Sequence, residues 1–314
     1  MTAVRVLSGA LEDRQRRELV YGGDLLVFKK VPPMEEFCAF TDALIREVFG
    51  TTDPARAQFE LDRDEYLSRV EALHKRFRKD ARAKDLFLAA LGHVGVDLRR
   101  TFWDWLYLRV SPHGKEHSSR RTAKLGFHRD TWSSNVYAQT NWWAPIYPIS
   151  PARTVAFYGE YWEKPLKNTS ADWDLEEIRS GRSSAPLVPE PSEPVDTASE
   201  LRLVLEPGDL LCFSGAHLHA SVPNSTGVAR FSVEVRTVDA GDVADDHGAP
   251  NVDGEAPRVA KDWFRHVEDG TPLTAVVARG WKRVTGGAVK QQNQSWSGRI
   301  TAPSVYYTYG NYKA

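Results

Sequence analysis

The chain has 314 residues, a formal net charge of −1, 41% hydrophobic and 26% charged residues, the balance of an ordinary globular protein with length enough for one large domain or two smaller ones. So even a charge supplies no field to attract nucleic acid or an acidic membrane surface. The expected partner is therefore a small molecule met at a local site, not nucleic acid or membrane, and the oligomeric state is left open.

The N-terminus, MTAVRVLSGALEDRQRR, is charged too early to contain a signal-peptide apolar region, and no run reaches membrane-spanning length. Two cysteines only, Cys38 and Cys212, lie far apart; they read as buried thiols of a reducing cytoplasm, with no disulfide framework. Up to about residue 100 the chain reads as helical. Residues 34–49 place Phe37, Phe40, Leu44 and Val48 at helical spacing after Pro32-Pro33, residues 64–79 do the same with Tyr66, Val70, Leu73 and Phe77, and residues 85–98 suggest a third helix. His74 and His93 fall in these helices and read as structural or surface histidines.

From Phe102 the hydrophobic period changes to two. Segments 102–110, 136–147, 153–158, 201–205, 210–213 and 229–238 are short, aromatic or β-branched, and bounded by Gly, Pro or Asn. Strands in succession without intervening helices predict a barrel, sandwich or jelly roll. Residues 159–200, with SSAPLVPEPSEPVD, read as an insertion or lid. Residues 239–314 read as a C-terminal extension whose Trp263, Trp281, Trp296 and Tyr-rich end at 306–312 pack on something. Trp103, Trp105, Trp132, Trp142 and Trp143 are expected first of all in the core.

Residues 126–135, GFHRDTWSSN, contain H-R-D-x-x-x-x-N, the spacing of a protein-kinase catalytic loop. A kinase also needs a Gly-rich phosphate loop upstream and D-F-G soon after, and neither is present. His128 and Asp130, two apart on a strand, would instead share a face, as two ligands of one metal must. The spacing alone selects little, because His266-Val267-Glu268 repeats it. A third ligand comes from residues 207–238, a P-G-D turn, a strand, a segment with His217 and His219, an Asn-Ser-Thr-Gly turn, and a strand opening with Arg230. Two imidazoles and one carboxylate on one face of iron leave three positions open, as in non-haem Fe(II) oxygenases. An arginine beyond the second histidine suits the far carboxylate of 2-oxoglutarate. His113 and His117, in SPHGKEHSSRR, lack a third local ligand and read as solvated or as part of a flap.

In this pattern the sequence resembles the Fe(II)/2-oxoglutarate-dependent oxygenases, and within them the phytanoyl-CoA dioxygenase-like group: H-x-D, a gap of about 90 residues, G-D-strand-H, and an arginine about 11 residues further on. The resemblance covers residues 102–238. It implies a mainly β fold with flanking α-helices around a double-stranded β-helix (jelly-roll, cupin-like) core, in a single catalytic domain over 1–314. Within it, residues 1–100 give helical support and 102–238 the core. It implies His128, Asp130 and His219 as iron ligands, His219 being favoured over His217 by both offsets. Arg230 would hold 2-oxoglutarate with Ser232 beside it, and Gln139 and Asn141 would be polar contacts to the cosubstrate or hydrogen-bonded strand interior. The cofactors implied are Fe(II), 2-oxoglutarate and O2, and the reaction is oxidation of a C–H bond, by default hydroxylation, with release of succinate and CO2. Halogenating relatives have a small residue where Asp130 stands, which argues against halogenation here. The N-W-W-A-P-I-Y-P-I segment and the Trp-rich tail look similar to antibiotic-biosynthesis members, including those of streptomycin-type pathways. Two alternatives stand beside this reading: a cupin-like metalloenzyme without 2-oxoglutarate, against which Arg230 weighs, and a non-enzymatic jelly-roll binding protein.

Overall fold

A computed structural model describes residues 2–120, 122–277 and 307–309. The first hundred residues contain β1 (Val4–Leu7), α1 (Asp13–Tyr21), β2 (Leu25–Phe28), α2 (Pro32–Phe49), α3 (Arg63–Lys79) and α4 (Ala81–His93). Helix α3 is held by its apolar stripe: Tyr66, Val70, Leu73 and Phe77 are all at most 2% exposed. At roughly 1.5–3 kcal/mol per buried side chain, the stripe outweighs the few tenths contributed by exposed pairs such as Arg69–Glu65. Helix α4 begins four residues before the expected start because the Asp80 carboxylate accepts from the backbone N–H of Ala83 and caps it. It ends before Gly95, whose φ is +97° and whose Cα passes so near the Leu11 carbonyl that a Cβ would collide with it.

The strands that follow are β3 (Thr101–Trp103), β4 (Tyr107–Ser111), β5 (Thr140–Pro145), β6 (Val155–Tyr158), β7 (Glu200–Leu203), β8 (Leu210–Ser214), β9 (His219–Ser221), β10 (Arg230–Asp239), β11 (Arg265–His266) and β12 (Tyr307–Tyr309). Among the described residues four short α-helices lie between them, α5 (Thr131–Ser134), α6 (Leu175–Arg179), α7 (Ala240–Ala244) and α8 (Leu273–Val276). One sheet runs β1-β2-β8-β5-β10-β3-β11, with β4 also paired to β10; the other runs β12-β7-β6-β9. An antiparallel bridge between His128 and His219 extends the second sheet beyond β9.

Alternation along the strands divides the core in two. Leu25, Val27, Trp143, Leu211 and Phe213 join Val155, Phe157, Leu201 and Leu203 in one cluster shared by the two sheets. Their neighbours Leu26, Phe28, Trp142, Leu210 and Cys212 face the other way, into a cluster with Phe37, Leu44, Leu73 and Phe87 of the helices. The fold is thus sheet-dominated with flanking helices. The N-terminal stretch, expected to be helical, also supplies β1 and β2 to the larger sheet, and β2 pairs with β8. The single strand expected over 102–110 is two, because the chain breaks at Asp104, whose carboxylate accepts from the backbone N–H and the guanidinium of Arg236.

Both cysteines are free and buried. Trp132, Trp142 and Trp143 are core residues, but Trp105, expected there too, is 49% exposed because it stands in the β3–β4 break. His117 is buried rather than solvated, edge-on to Tyr66 at 4.9 Å. Trp281 and Trp296 lie outside the described residues. Among the described residues no helix is long and apolar enough to cross a membrane.

Candidate metal centre and its cavity

His128 reaches the centre from its bridge to His219, whose own strand β9 follows the turn after β8. Asp130 arrives differently from the expected strand geometry. It has helical backbone angles, φ −63° and ψ −29°, at the start of α5, so the strand-to-helix turn, and not strand alternation, carries its carboxylate toward the histidines. The ligand atoms of His128, Asp130 and His219 all lie within 4.8 Å of one another. His219 Nε2 is 3.7 Å from Asp130 Oδ2, and the two imidazole centroids are 4.2 Å apart.

The surroundings leave each histidine with a free ligand atom. His128 Nδ1 lies 2.8 Å from the Gly126 carbonyl and His219 Nδ1 3.0 Å from the His217 carbonyl. A carbonyl only accepts, so each Nδ1 carries the proton and each Nε2 keeps its lone pair. Burial pushes the His128 pKa down to about 3, helped by His219, so the ring is neutral. Burial works against ionisation of Asp130, but Arg236, the two histidines and Asn141 outweigh it and hold the carboxyl below its ordinary range. Asn141 donates to Asp130 Oδ2 and accepts from Gln139 Nε2 at 2.8 Å. Gln139 therefore stands behind Asn141, fully buried, and only Asn141 lines the cavity.

His217, the other histidine of the segment, faces away. Its ring nitrogens lie 3.1 Å from the Ser214 carbonyl and 3.0 Å from the Gly23 carbonyl, and its ring packs on Trp162. His113 is occupied as well, accepting from the Gly227 backbone at 3.2 Å.

The triad opens into a cavity of about 630 Å³. Arg230 lines it, 4% exposed, donating to the Thr154 carbonyl at 2.8 Å and to Ser111 Oγ at 3.2 Å. Among the described residues no carboxylate pairs with it, and its Nε and the nearby Ser232 Oγ are buried without a hydrogen-bond partner. Burial, with Arg109 nearby, pushes the Arg230 pKa down to about 10. A buried guanidinium with an unused donor has the charge and hydrogen-bonding capacity to receive an anion.

Residues not foreseen from the sequence complete the site. Arg236, in phase with Arg230 along β10, bridges Asp104 at 2.6 Å and Asp130 Oδ1 at 3.4 Å. The period of two from Arg230 would have found it. Arg129, between the two ligands, is buried and donates to the Ala216 and Tyr161 carbonyls while pairing with Asp253 at 3.1 Å. Asp253 also accepts from Trp132 Nε1 at 2.6 Å; nothing in the sequence signalled this tie to the C-terminal extension. Trp173, Leu175, Arg179, Leu187 and Val188 of the 159–200 segment line the same cavity.

No family model and no curated protein matches the chain. Among solved structures it is similar to the apo form of the non-heme monooxygenase ThoJ, at 16% identity over 68% of this chain and 74% of that one, TM-score 0.37. It is also similar to the non-heme alpha-ketoglutarate-dependent epimerase SnoN from nogalamycin biosynthesis, at 15% identity over 81% and 98%, TM-score 0.39. A third is EvdO2 from Micromonospora carbonacea var. aurantiaca, at 14% identity over 74% and 93%, TM-score 0.41. At such identities and scores, function has to be argued from the site itself.

Proposed function

We propose that the chain is a non-haem Fe(II)/2-oxoglutarate-dependent oxygenase that oxidises a C–H bond of a small molecule, by hydroxylation, releasing succinate and CO2. The observation that carries the reading is the meeting, in one cavity, of two imidazoles and a carboxylate with a buried arginine that no carboxylate pairs with among the described residues. The donor set fits ferrous iron, and Arg230, with Ser232 beside it on β10, fits the far carboxylate of 2-oxoglutarate. Iron held by His128, Asp130 and His219, with 2-oxoglutarate at Arg230, would supply the oxidising power for attack on an unactivated C–H bond. The protein's own part is to fix the ligands. The carbonyls of Gly126 and His217 orient the rings, and Asn141 and Arg236 hold Asp130 ionised.

Strand order supports a jelly-roll core within a single catalytic domain. From β4 to β10 the chain visits the first sheet, the second at His128, the first at β5, the second at β6 and β7, then first, second and first at β8, β9 and β10. In this reading the 159–200 segment is a lid and membership of the phytanoyl-CoA dioxygenase-like group follows from the motif spacing. Bacterial secondary-metabolite tailoring in the cytoplasm is the proposed setting, resting on the sequence resemblance.

The test is anaerobic addition of Fe(II) and 2-oxoglutarate to metal-free protein. A weak visible charge-transfer band should form, vanish in His219→Ala, and need more 2-oxoglutarate in Arg230→Ala. Absence of iron binding and of the band in the unaltered protein overturns the proposal.

A further inference from the structure

Building on the oxygenase reading, we infer that the organic substrate carries an anionic group, with phosphate-, sulfate- or carboxylate-type oxygens, held at the cavity wall by Arg120 and Arg179. The argument is a balance of charge. Of the carboxylates lining the cavity, Asp104 is with Arg236 at 2.6 Å, Glu234 is with Arg109 at 2.6 Å, and Asp130 belongs to the metal triad. Lys75 is paired with Glu71 at 3.1 Å. Ferrous iron, Asp130, the 2-oxoglutarate dianion and Arg230 together cancel. Arg78, Arg120 and Arg179 also line the cavity, and among the described residues no carboxylate pairs with any of them.

In a chain of 41 basic and 42 acidic residues, three unpaired guanidinium groups from three separate segments around one cavity are a local excess. Two of them are coupled through the backbone: Arg120 donates to the Ile178 carbonyl at 3.1 Å, the residue before Arg179. Arg120 also stands where a second cavity of about 600 Å³ adjoins the first, the two sharing Leu125, Leu187 and Val188. The same cavity is lined by Trp173 and, at the β3–β4 break, by Trp105. An anion fixed by two guanidinium groups, with an apolar body on indole faces, is the ligand such a wall selects.

The experiment compares 1-naphthyl phosphate with 1-naphthol. Each is titrated anaerobically by equilibrium dialysis into protein loaded with Fe(II) and 2-oxoglutarate, and the visible band is recorded in the same samples. The phosphate should bind at least about tenfold tighter. In the R120Q/R179Q double variant, whose altered side chains are both exposed, the ratio should fall to within about twofold with the band unchanged. If the phosphate binds no tighter than the naphthol, or keeps its advantage in the double variant, the inference is wrong, because the anion then has no site or sits at the metal or Arg230. If the band itself fails to form, the oxygenase reading falls first and this inference falls with it.

Discussion

Replacing Arg230 with Met should separate a ligand-binding role from a structural one. A guanidinium whose pKa burial pushes down to about 10 costs the folded state about 3 kcal/mol, at about 1.4 kcal/mol per tenfold in protonation. Its bonds to the Thr154 carbonyl and Ser111 Oγ return roughly 1.5–3 kcal/mol each as hydrogen bonds of a charged donor. The two sides nearly offset, so R230M apoprotein should unfold within about 1–2 kcal/mol of the unaltered protein in urea. At neutral pH the arginine is charged in both folded and unfolded chains, so its penalty is constant there; it is relieved, raising stability, only as pH climbs from about 10. Affinity for 2-oxoglutarate should by contrast fall about 100-fold or more, the effect of losing one side of a buried, hydrogen-bonded charge pair at about 3 kcal/mol. Thermal unfolding with and without saturating 2-oxoglutarate and Fe(II) reads both quantities, since ligand binding to the folded state raises Tm. A variant that is strongly destabilised without ligand, yet gains as much Tm from 2-oxoglutarate as the unaltered protein, would refute the reasoning and make Arg230 a structural cation.

Four further outcomes follow from the same geometry. Asn141→Leu removes a donor to Asp130 and should weaken Fe(II) binding by about 10–100-fold in chelator competition; unchanged affinity would show that Asp130 is held without it. Arg236→Met leaves Asp104, 7% exposed, without its partner and should cost roughly 3–5 kcal/mol in urea unfolding; a loss below about 1 kcal/mol would mean that Asp104 is protonated in the native state. His217→Asn should retain stoichiometric iron, measured by atomic absorption, whereas His219→Asn should lose it; the opposite result would exchange their roles. Finally, His128 and His217 have pKa values lowered by burial to about 3 and about 4, so between those values and about 6.5 the unfolded chain binds more protons than the folded one. Metal-free protein should therefore hold this part of its stability above about pH 6.5 and lose it as pH falls toward 3–4, with a shallower loss in His217→Asn; identical pH profiles would count against the burial of His217 as its cause.

Local sequence determined whatever depends on near neighbours. The stripe Tyr66, Val70, Leu73, Phe77 dictated a helix because one face has to leave water, and alternation through Trp142 and Trp143 sent one indole to the helices and the other between the sheets. The ligand residue types were legible because few side chains serve as metal donors and an arginine at a fixed offset suits a dicarboxylate. Tertiary structure decided what depends on residues distant in sequence. The motif offsets favoured His219 over His217 as the histidine beside Asp130, but the reason His217 turns away, ring nitrogens set against the carbonyls of Gly23 and Ser214, is encoded by no periodicity. Asp130 reached the triad through a helical turn where a strand was expected. Arg129 was tied to Asp253, and Arg236 to Asp104, across more than a hundred residues. A buried charge requires a partner, but the sequence does not state which segment will bring it: that is fixed only when the sheets close and exclude water, and the same closure left Arg230 buried with its Nε unpartnered.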